Sequence, residues 1–366
     1  MRIAFLCSSL ESGQDGVGDY TRRLAAECIR QSHPSIILGL NDAGVRETLY
    51  ELQEMEGASI SVMRLPSSMS WRKRAMLGRK WLDAFDPDWV SLQFGPFAYQ
   101  PKGLPFGLPR RLLSITGARP LHWMFHELWI LWRLPLPLRQ RLLGQFQKLC
   151  IRLCLIRLNP KAIATQLPLH QAELAKRGWA AEVVPLHGNI PVHPDGAAHD
   201  WLVNRCGLLP GSKWVKAGFF GNILPTLNPA LFTARMAEIA KPGAKLLLLS
   251  AGRIGEKSAK LWSSLERELR APAAFFNIGE LNEHESSLYF SALDYGLTSY
   301  PPELVGKSGS VAAMLEHGLS VVICGSLVKG SVASGKMESG TWDAERHWTV
   351  RQSAESLLRQ LQASKS

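Results

Sequence analysis

The sequence predicts an α/β fold made of two tandem, doubly wound domains. Short apolar segments alternate with helical patterns, and the 366 residues are more than one domain usually holds. The alternation starts again after a polar stretch with Pro and His over 191–200, which is interpreted as a linker. We therefore expect a first domain over 1–192 and a second over 193–366, both facing a central cleft. The last helix can return to the first domain, although nothing in the sequence requires it.

Strands and helices are assigned from the period of the apolar residues. In the first domain, strands are predicted over 3–7, 35–40, 59–65, 89–94, 121–125, 162–165 and 181–185. In the second domain, strands are predicted over 214–220, 245–250, 273–278, 295–298 and 320–324. Helices are predicted over 17–31, 229–240, 258–269, 283–292, 312–317 and 344–363. In the first helix, Tyr20, Leu24 and Cys28 share the face that packs on the sheet, so Arg22 and Arg23 are expected to face solvent.

Composition excludes several classes of protein. Charged residues are 20% and hydrophobic residues 46%, which is typical of a globular enzyme and not of a disordered chain. The apolar runs are shorter than the ~20 residues that a membrane-spanning helix needs. The N-terminal segment MRIAFLCSSL is interpreted as the first strand and not as a signal peptide, because it runs directly into a Gly-rich loop. The six cysteines lack metal-ligand spacing and are expected to be buried thiols in a reducing cytoplasm.

The net charge of +11 is concentrated in the first half of the chain. Residues 1–190 hold 24 Lys or Arg against 15 Asp or Glu, whereas residues 191–366 hold 18 against 16. Such an excess attracts an anionic surface through its summed field. No recognised nucleic-acid-binding module is evident, so nucleic acid is not the expected partner.

A phosphate site is predicted in the segment SYPPELVGKSGSVAAMLEHGLSVVICG, residues 299–325. A loop rich in Pro, Gly and Ser leads there into a helix, and the first N–H groups of a helix favour an anion. Ser308, Gly309 and Ser310 can offer N–H groups and hydroxyls, and Lys307 adds a positive charge. The alternative is an ordinary capped helix between two parallel strands.

A second Gly-bearing loop, ESGQDGVGD over 11–19, follows the first strand. Its spacing departs from the dinucleotide fingerprint GxGxxG because Thr21 occupies the third glycine position. The loop is therefore interpreted as a ligand-facing turn at the carboxyl end of a strand, with a simple strand-to-helix turn as the alternative.

His126 and Glu127 end an apolar strand in the basic half of the chain. Ligands of open α/β sheets bind at the carboxyl ends of strands, so a catalytic or sugar-binding role is one interpretation of His126. A structural histidine is the other. His122, inside the same strand, is expected to be a core residue.

The run over 128–160 holds six Lys or Arg and no acid. Arg141, Lys148 and Arg152 recur at helical spacing, and Trp129 and Trp132 precede them. An apolar set lies beside these cations: Leu142, Phe146, Leu149 and Leu153. Basic helices with tryptophans are typical of contact with an anionic membrane surface. A packed helix with a basic outer stripe is the alternative.

Several segments together resemble the GT-B-fold glycosyltransferases, and among them the retaining family 4, whose members transfer sugar from a nucleotide donor. In chain order these segments are MRIAFLCSSLESGQDGVGDYTRRLA, HELW, VVPLHGNIP, KWVKAGFFGNI and GELNEHESSLYFSALDYGLTSYPPELVGKSGSVAAMLEHGLSVV. Their shared order covers nearly the whole chain.

The resemblance implies roles for individual residues. It implies that His126 and Glu303 are catalytic, His126 beside the transferred sugar and Glu303 beside the sugar or ribose. It implies donor phosphates at Lys307, Ser308, Gly309 and Ser310, and a base near Gly279, Glu280 and Leu281. Further donor contacts are implied for Gly16, Gly18, Gly221, Asn222 and Arg253.

Two departures from the family pattern concern the donor site. The usual second glutamate falls on Val311, or on Ala313 when the alignment starts from Gly318, and neither is acidic. The usual basic residue after the first strand of the second domain is also missing, so Lys307 or Arg253 would supply the charge.

The resulting expectation is a cytoplasmic glycosyltransferase that moves a sugar from a nucleoside diphosphate (UDP or GDP) to a glycan, lipid-linked or other glycoconjugate acceptor with retention. Association with the inner face of the cell membrane is a further expectation. No cofactor and no metal is expected beyond the nucleotide sugar. The alternatives are a GT-B nucleotide-sugar epimerase and a non-catalytic scaffold of the same fold.

Overall fold

The computed structural model describes residues 1–364 except 12, 14, 130–137, 194–195, 209–212, 241–244, 270–272, 327–340 and 343–347. Contacts between Cα atoms divide the chain into two units, Met1–Pro185 with Val350–Ser366, and Leu186–Thr349. Each unit holds one mainly parallel sheet with helices packed on it. The predicted α/β fold with two doubly wound, Rossmann-like bodies is confirmed.

The first unit contains an eight-stranded sheet. Its strands are β1 (Ile3–Cys7), β2 (Ser35–Asp42), β3 (Leu49–Met55), β4 (Ala58–Pro66), β5 (Trp89–Phe94), β6 (Leu121–Phe125), β7 (Ala162–Thr165) and β8 (Glu182–Val183). Their spatial order is β3-β4-β2-β1-β5-β6-β7-β8, and all neighbours are parallel except β3 and β4. The strand order reverses between β1 and β5, which is the switch point of this sheet.

The helices of the first unit cover both faces of its sheet. They are α1 (Gly16–Arg30), α2 (Trp71–Phe85), α3 (Leu108–Thr116), α4 (Leu138–Leu158), α5 (Pro168–Ala175) and the C-terminal α11 (Val350–Ala363). The crossovers through α2, α3 and α4 advance across the sheet in one direction, and the crossover through α1 runs the opposite way. Because parallel crossovers are right-handed, α2, α3 and α4 share one face and α1 lies on the other, where it packs against α11.

The second unit contains a six-stranded sheet. Its strands are β9 (Trp214–Phe220), β10 (Lys245–Ala251), β11 (Ala273–Gly279), β12 (Tyr295–Thr298), β13 (Ser320–Ile323) and β14 (Thr341–Trp342). Its helices are α6 (Ala198–Cys206), α7 (Pro229–Ile239), α8 (Glu256–Glu268), α9 (Glu283–Ala292) and α10 (Gly309–Glu316), with a 3₁₀ helix over Pro302–Lys307. The strand order β11-β10-β9-β12-β13-β14 reverses between β9 and β12.

Two strands are missing from the sequence prediction, and both lie at sheet edges. β3 pairs antiparallel with β4, and β14 pairs antiparallel with β13. The sequence of β3, LYELQEM, leaves Leu49, Tyr50 and Leu52 exposed, so it lacks the buried apolar run by which the other strands are found.

The expectation that Arg22 and Arg23 face solvent is wrong. Arg22 is 5% exposed and Arg23 is 2% exposed. Arg22 pairs with Asp19 and donates to the carbonyl of Leu10 at 3.3 Å. Arg23 forms a bidentate pair with Glu56 at 2.8 and 2.9 Å. Asp19 lies in the first turn of α1 itself and Glu56 in the β3–β4 turn, and burial of an arginine requires such partners. All six cysteines are buried free thiols, as predicted.

Candidate functional site

The switch point of the second unit lies between β9 and β12, where ligands bind in open parallel sheets. Glycines in the left-handed region lie where β9, β10 and β11 pass into the loops that follow them, at Gly221 (φ 77°), Gly252 (φ 83°) and Gly279 (φ 89°). Gly221 donates to the carbonyl of Ala251 at 2.8 Å, and Gly252 donates to that of Gly279 at 2.8 Å. A Cβ atom at Gly252 would lie 3.1 Å from the nitrogen of Gly221. Glycine is therefore required where these loops pack on one another.

Polar side chains join these loops at the carboxyl edge of the sheet. Asn222 accepts through Oδ1 from the backbone N–H of Gly255 at 3.0 Å, so it fixes the loop before α8. Arg253 and Glu280 form an exposed ion pair at 3.4 Å between the loops after β10 and β11. Leu281 packs against the core of the unit. The predicted donor residues on these loops thus lie along one edge of the sheet, and their contacts with a donor stay a prediction.

The start of α10 forms the other side of the switch point. Ser308 is the N-cap of this helix and accepts from the N–H of Val311 at 3.3 Å. The hydroxyl of Ser310 lies 3.3 Å from that of Ser308. Gly309 approaches Asn189, whose Oδ1 would lie 3.3 Å from a Cβ atom at this position. Lys307 is half-buried and ends the 3₁₀ helix that carries Glu303.

A narrow cavity of about 10 Å³ lies where these two sides meet. Its lining includes Asn222 from the loop after β9, and Ser308 and Ser310 from α10. A space of this size holds about one water molecule. The structure therefore brings the predicted residues Asn222, Ser308 and Ser310 together at the switch point of their own sheet.

The positions of the missing glutamate are structural in this chain. Val311 is 3% exposed, Ala313 is fully buried, and both pack in the core of the second unit. The α10 segment thus provides a capped helix start with an apolar interior, and no carboxylate at these two positions.

The first unit places Gly16 and Gly18 at the start of α1, next to the switch point between β1 and β5. Asp15 caps this helix and accepts from the N–H groups of Val17 at 2.9 Å and Gly18 at 3.2 Å. A Cβ atom at Gly18 would lie 2.6 Å from the carbonyl oxygen of Ser9. Gly18 is therefore required for the packing of α1 on the loop after β1. The proposed donor contacts of both glycines stay a prediction.

His126 lies directly after β6 and is 6% exposed. Gln166 donates through Nε2 to Nδ1 of His126 at 2.7 Å, so Nε2 of the ring carries the proton and donates to Oε1 of Gln93 at 2.9 Å. Burial lowers the pKa of His126 to about 3, and His122 nearby adds to this effect. The imidazole is thus neutral at physiological pH, and a direct role in catalysis stays a prediction.

The sequence did not indicate the glutamines that hold His126. Gln93 also donates to Ser91 at 2.8 Å, and Ser91 contacts Nδ1 of His122 at 2.8 Å. His122 is buried, as expected, and burial lowers its pKa to about 4. The only available signal was that Ser91, Gln93 and His122 interrupt two apolar strands at alternating positions, which places them on one face of the sheet.

The predicted membrane-contact residues are only partly on the surface. Trp129 is 4% exposed and packs in the core, so its assignment to the membrane surface is wrong. Its ring contacts Lys148 at 6.0 Å and Arg177 at 4.8 Å. Arg141 and Arg152 are exposed on α4, and Trp132 lies outside the described residues.

The described residues contain no group of three His, Cys, Asp or Glu that could hold a metal ion. Among the described helices, none combines the length and the hydropathy that crossing a bilayer requires.

Two Rossmann-like bodies with these strand orders define the class of fold: the chain has the GT-B fold of solved glycosyltransferases. It aligns over 100% of its length with Anabaena HepE in complex with UDP-glucose, with 14% identity, 98% of that chain and a TM-score of 0.53. It aligns in the same way with a glycosyltransferase from Rickettsia africae, with 10% identity, 94% of that chain and a TM-score of 0.55. It also aligns over 100% of its length with the catalytic domain of starch synthase IV from Arabidopsis thaliana, bound to ADP and acarbose. The identity is 10%, the alignment covers 92% of that chain, and the TM-score is 0.55.

No protein-family model and no curated protein matches the sequence. The structural likeness establishes the GT-B fold, and membership of family 4 stays a prediction.

Proposed function

We propose that this protein transfers a sugar from a nucleoside diphosphate sugar to a glycan, lipid-linked or other glycoconjugate acceptor, with retention of the anomeric configuration. The observation that carries the proposal is the start of α10. It joins a neutral serine cap, a neighbouring lysine and a switch-point cavity within one unit of a GT-B fold. HepE, which shares this fold, is bound to UDP-glucose.

The proposed site would stabilise the leaving group of the transfer reaction. A departing nucleoside diphosphate develops negative charge, which preorganised N–H groups and a cation stabilise without reorganisation. The first N–H groups of α10 carry the positive end of the helix dipole, and Lys307 ends the preceding 3₁₀ helix. Ser308, Gly309 and Ser310 would bind the diphosphate, with Glu303 near the sugar or ribose.

Positive charge from Lys307 and Arg253 is our reason to propose that the reaction needs neither a metal ion nor a cofactor besides the donor. The base of the donor, uracil or guanine, would lie beside Gly279, Glu280 and Leu281. His126, held neutral by its two glutamines, would contact the transferred sugar as a hydrogen-bonding group.

A peripheral association with the inner face of the cell membrane completes the proposal, since a lipid-linked acceptor must be met at a bilayer surface. Support comes from the cations of α4, which include Arg141 and Arg152 on the exposed side of that helix.

The test is thermal unfolding in the presence of UDP, GDP or ADP. A ligand that binds only the folded state at 100 times its dissociation constant stabilises the protein by about 2.7 kcal/mol, so one of these nucleotides is expected to raise the melting temperature by several degrees. Lys307→Ala is expected to lose this shift. Lys257→Ala, which removes an exposed lysine of α8, is the matched control and should retain it.

A panel of nucleotide sugars then tests transfer, because each turnover releases a free nucleoside diphosphate. If no nucleoside diphosphate raises the melting temperature even at millimolar concentration, the transferase proposal is overturned. The buried Val311 and Ala313 at the positions of the second glutamate would then favour the non-catalytic scaffold. Binding together with conversion of the donor sugar, but without its transfer, would favour the epimerase.

A further inference from the structure

Helix α4 exposes a line of large apolar side chains. Six of them are between 45% and 69% exposed, namely Leu138, Leu142, Phe146, Leu149, Leu153 and Ile156. Successive members are three or four residues apart, so they form one stripe along the helix. The opposite face of α4 is apolar as well and packs in the core through Cys150, Ile151 and Leu155. Single exposed leucines are ordinary, whereas a continuous stripe of six marks an interaction surface.

Cations flank this apolar stripe on both sides. By helical periodicity, Arg139 and Arg157 lie along one side, and Arg141 and Arg152 lie along the other. All four side chains are exposed and have no ion-pair partner within the part of the chain that the structure describes. Helix α4 contains no acidic residue. The apolar stripe is therefore bordered by positive charge that nothing described in the protein neutralises.

A basic groove continues this surface on the neighbouring helices. Helix α3 packs against both α2 and α4, and an open groove of about 950 Å³ lies between α2 and α3. Arg72, Lys80 and Arg110 line the groove, are exposed and have no ion-pair partner among the described residues. The one acid of the groove, Asp83, already accepts from Arg79 and from a second arginine, Arg119, each at 2.8 Å.

An aromatic ring forms part of the groove wall. The guanidinium groups of Arg74 and Arg111 lie 3.9 and 4.7 Å from the centre of the Trp71 ring. Partial burial removes some of the hydration of the Arg111 guanidinium and lowers its pKa. A partly dehydrated guanidinium next to exposed cations is suited to a phosphate group, because charge-assisted hydrogen bonds then replace the lost water.

We propose that the outer face of α2, α3 and α4 docks this protein on an anionic lipid bilayer. The apolar stripe of α4 enters the boundary between headgroups and acyl chains, and the groove between α2 and α3 binds lipid phosphates. The proposal deepens the membrane association stated under the proposed function, and it is independent of the nucleotide site because all its residues belong to the first unit.

The positive charge of this face favours an anionic bilayer, and not a second copy of the chain, as its partner. Helices α2, α3 and α4 together carry twelve Lys or Arg and one acid, Asp83. Two such faces would repel each other, whereas an anionic membrane meets the apolar stripe and the cations at once. The apolar stripe runs along a helix of 21 residues, which is about 30 Å long, and such a straight stripe also suits the flat surface of a bilayer.

The experiment measures sedimentation of the full chain with phosphatidylglycerol vesicles and with phosphatidylcholine vesicles, at low and at high salt. Binding to phosphatidylglycerol is expected, with weakening by salt and little binding to phosphatidylcholine. The groove variant Arg72→Gln, Lys80→Gln, Arg110→Gln is expected to bind about a hundredfold more weakly, since each basic residue near the surface contributes about 1 kcal/mol. The stripe variant Leu142→Gln, Phe146→Gln, Leu149→Gln is expected to lose at least about tenfold.

A matched control separates a docking surface from net charge. Lys257→Gln, Lys260→Gln, Arg267→Gln removes three exposed cations from α8 of the second unit and should bind vesicles as the unchanged protein does. Stabilisation by UDP or GDP should persist in every variant, which shows that the protein is folded and that the nucleotide site is intact. Equal losses in the groove variant and the control, or unchanged binding of the stripe variant, would overturn the proposal.

Discussion

Helices α1 and α10 begin in the same structural context but offer different chemistry. Each lies at the carboxyl edge of a parallel sheet, next to the switch point of its unit. The start of α1 is capped by the carboxylate of Asp15, which accepts from Val17 and Gly18. The start of α10 is capped by the hydroxyl of Ser308, which accepts from Val311.

The difference indicates which helix can receive an anion. A capping carboxylate compensates the positive end of the helix dipole and repels phosphate, whereas a hydroxyl caps without charge. Packing adds to the contrast, because Gly18 is pressed against the backbone of Ser9 and Gly309 faces the side chain of Asn189. We therefore expect α1 to be a structural helix start and α10 to be the phosphate-binding one.

The largest expected effect is the difference in the free energy of unfolding between substitutions at Gly18 and at Gly309. Gly18→Ala should lower the free energy of unfolding by about 2 to 3 kcal/mol, because its Cβ would lie 2.6 Å from a backbone oxygen that cannot move away cheaply. Gly309→Ala should change it by less than about 1 kcal/mol, because the amide of Asn189 can rotate. Urea unfolding of both variants measures the difference, and equal losses would contradict the contrast in packing.

The next effect concerns the charge of the cap. Ser308→Asp keeps a good N-cap but places a carboxylate where the diphosphate would bind, so affinity for the stabilising nucleotide should fall at least about tenfold, or about 1.4 kcal/mol. Ser308→Asn introduces a side chain of the same size as aspartate but without charge, and it should retain most of the affinity. Calorimetric titration compares the two variants. Equal binding by both would remove α10 from the donor site.

The smallest effect tests the closed network around His126 in the first unit. Its pKa of about 3 in the folded state lies below the ordinary value near 6.5, so the unfolded state takes up the extra proton as pH falls through this window. The free energy of unfolding should therefore be little affected by this residue above pH 6.5. It should fall by about 1 kcal/mol between pH 7 and pH 5.5 through this residue alone.

Urea unfolding of His126→Gln at both pH values is the measurement, and the loss on acidification should be smaller by that amount. His199→Gln, at an exposed position of α6, should leave the loss of stability on acidification unchanged. An unaltered loss in His126→Gln would show that the ring is not held neutral.

The sequence predicted most of the parallel strands well, because most of them are buried on both faces and appear as short apolar runs. β5, β6, β7, β9 and β12 have the predicted bounds. The edge strands β3 and β14 were missed, since antiparallel edges need no such run. The helix start at Ser308 and Gly309 was predicted for a related reason, because helix caps are local and depend on the residues at the cap itself.

Long-range partners could not be predicted in the same way. Glu56 lies 33 positions from Arg23, and Gln166 lies 40 positions from His126. A periodic pattern assigns a residue to a face of its own helix, but it does not reveal a carboxylate that another element brings to that face. For this reason Arg23 was assigned to solvent, although it is buried.

The sequence by itself determined the two α/β bodies, the glycine loops after their strands, the neutral cap of α10 and the excess of cations in the first half. Each of these follows from local composition and period. Only the tertiary structure decided that Trp129 is buried, that His126 is held between two glutamines, and that α4 turns an apolar stripe outward. The physical reason is that α4 is apolar on two opposite faces, so only its packing against the sheet selects the face that remains exposed.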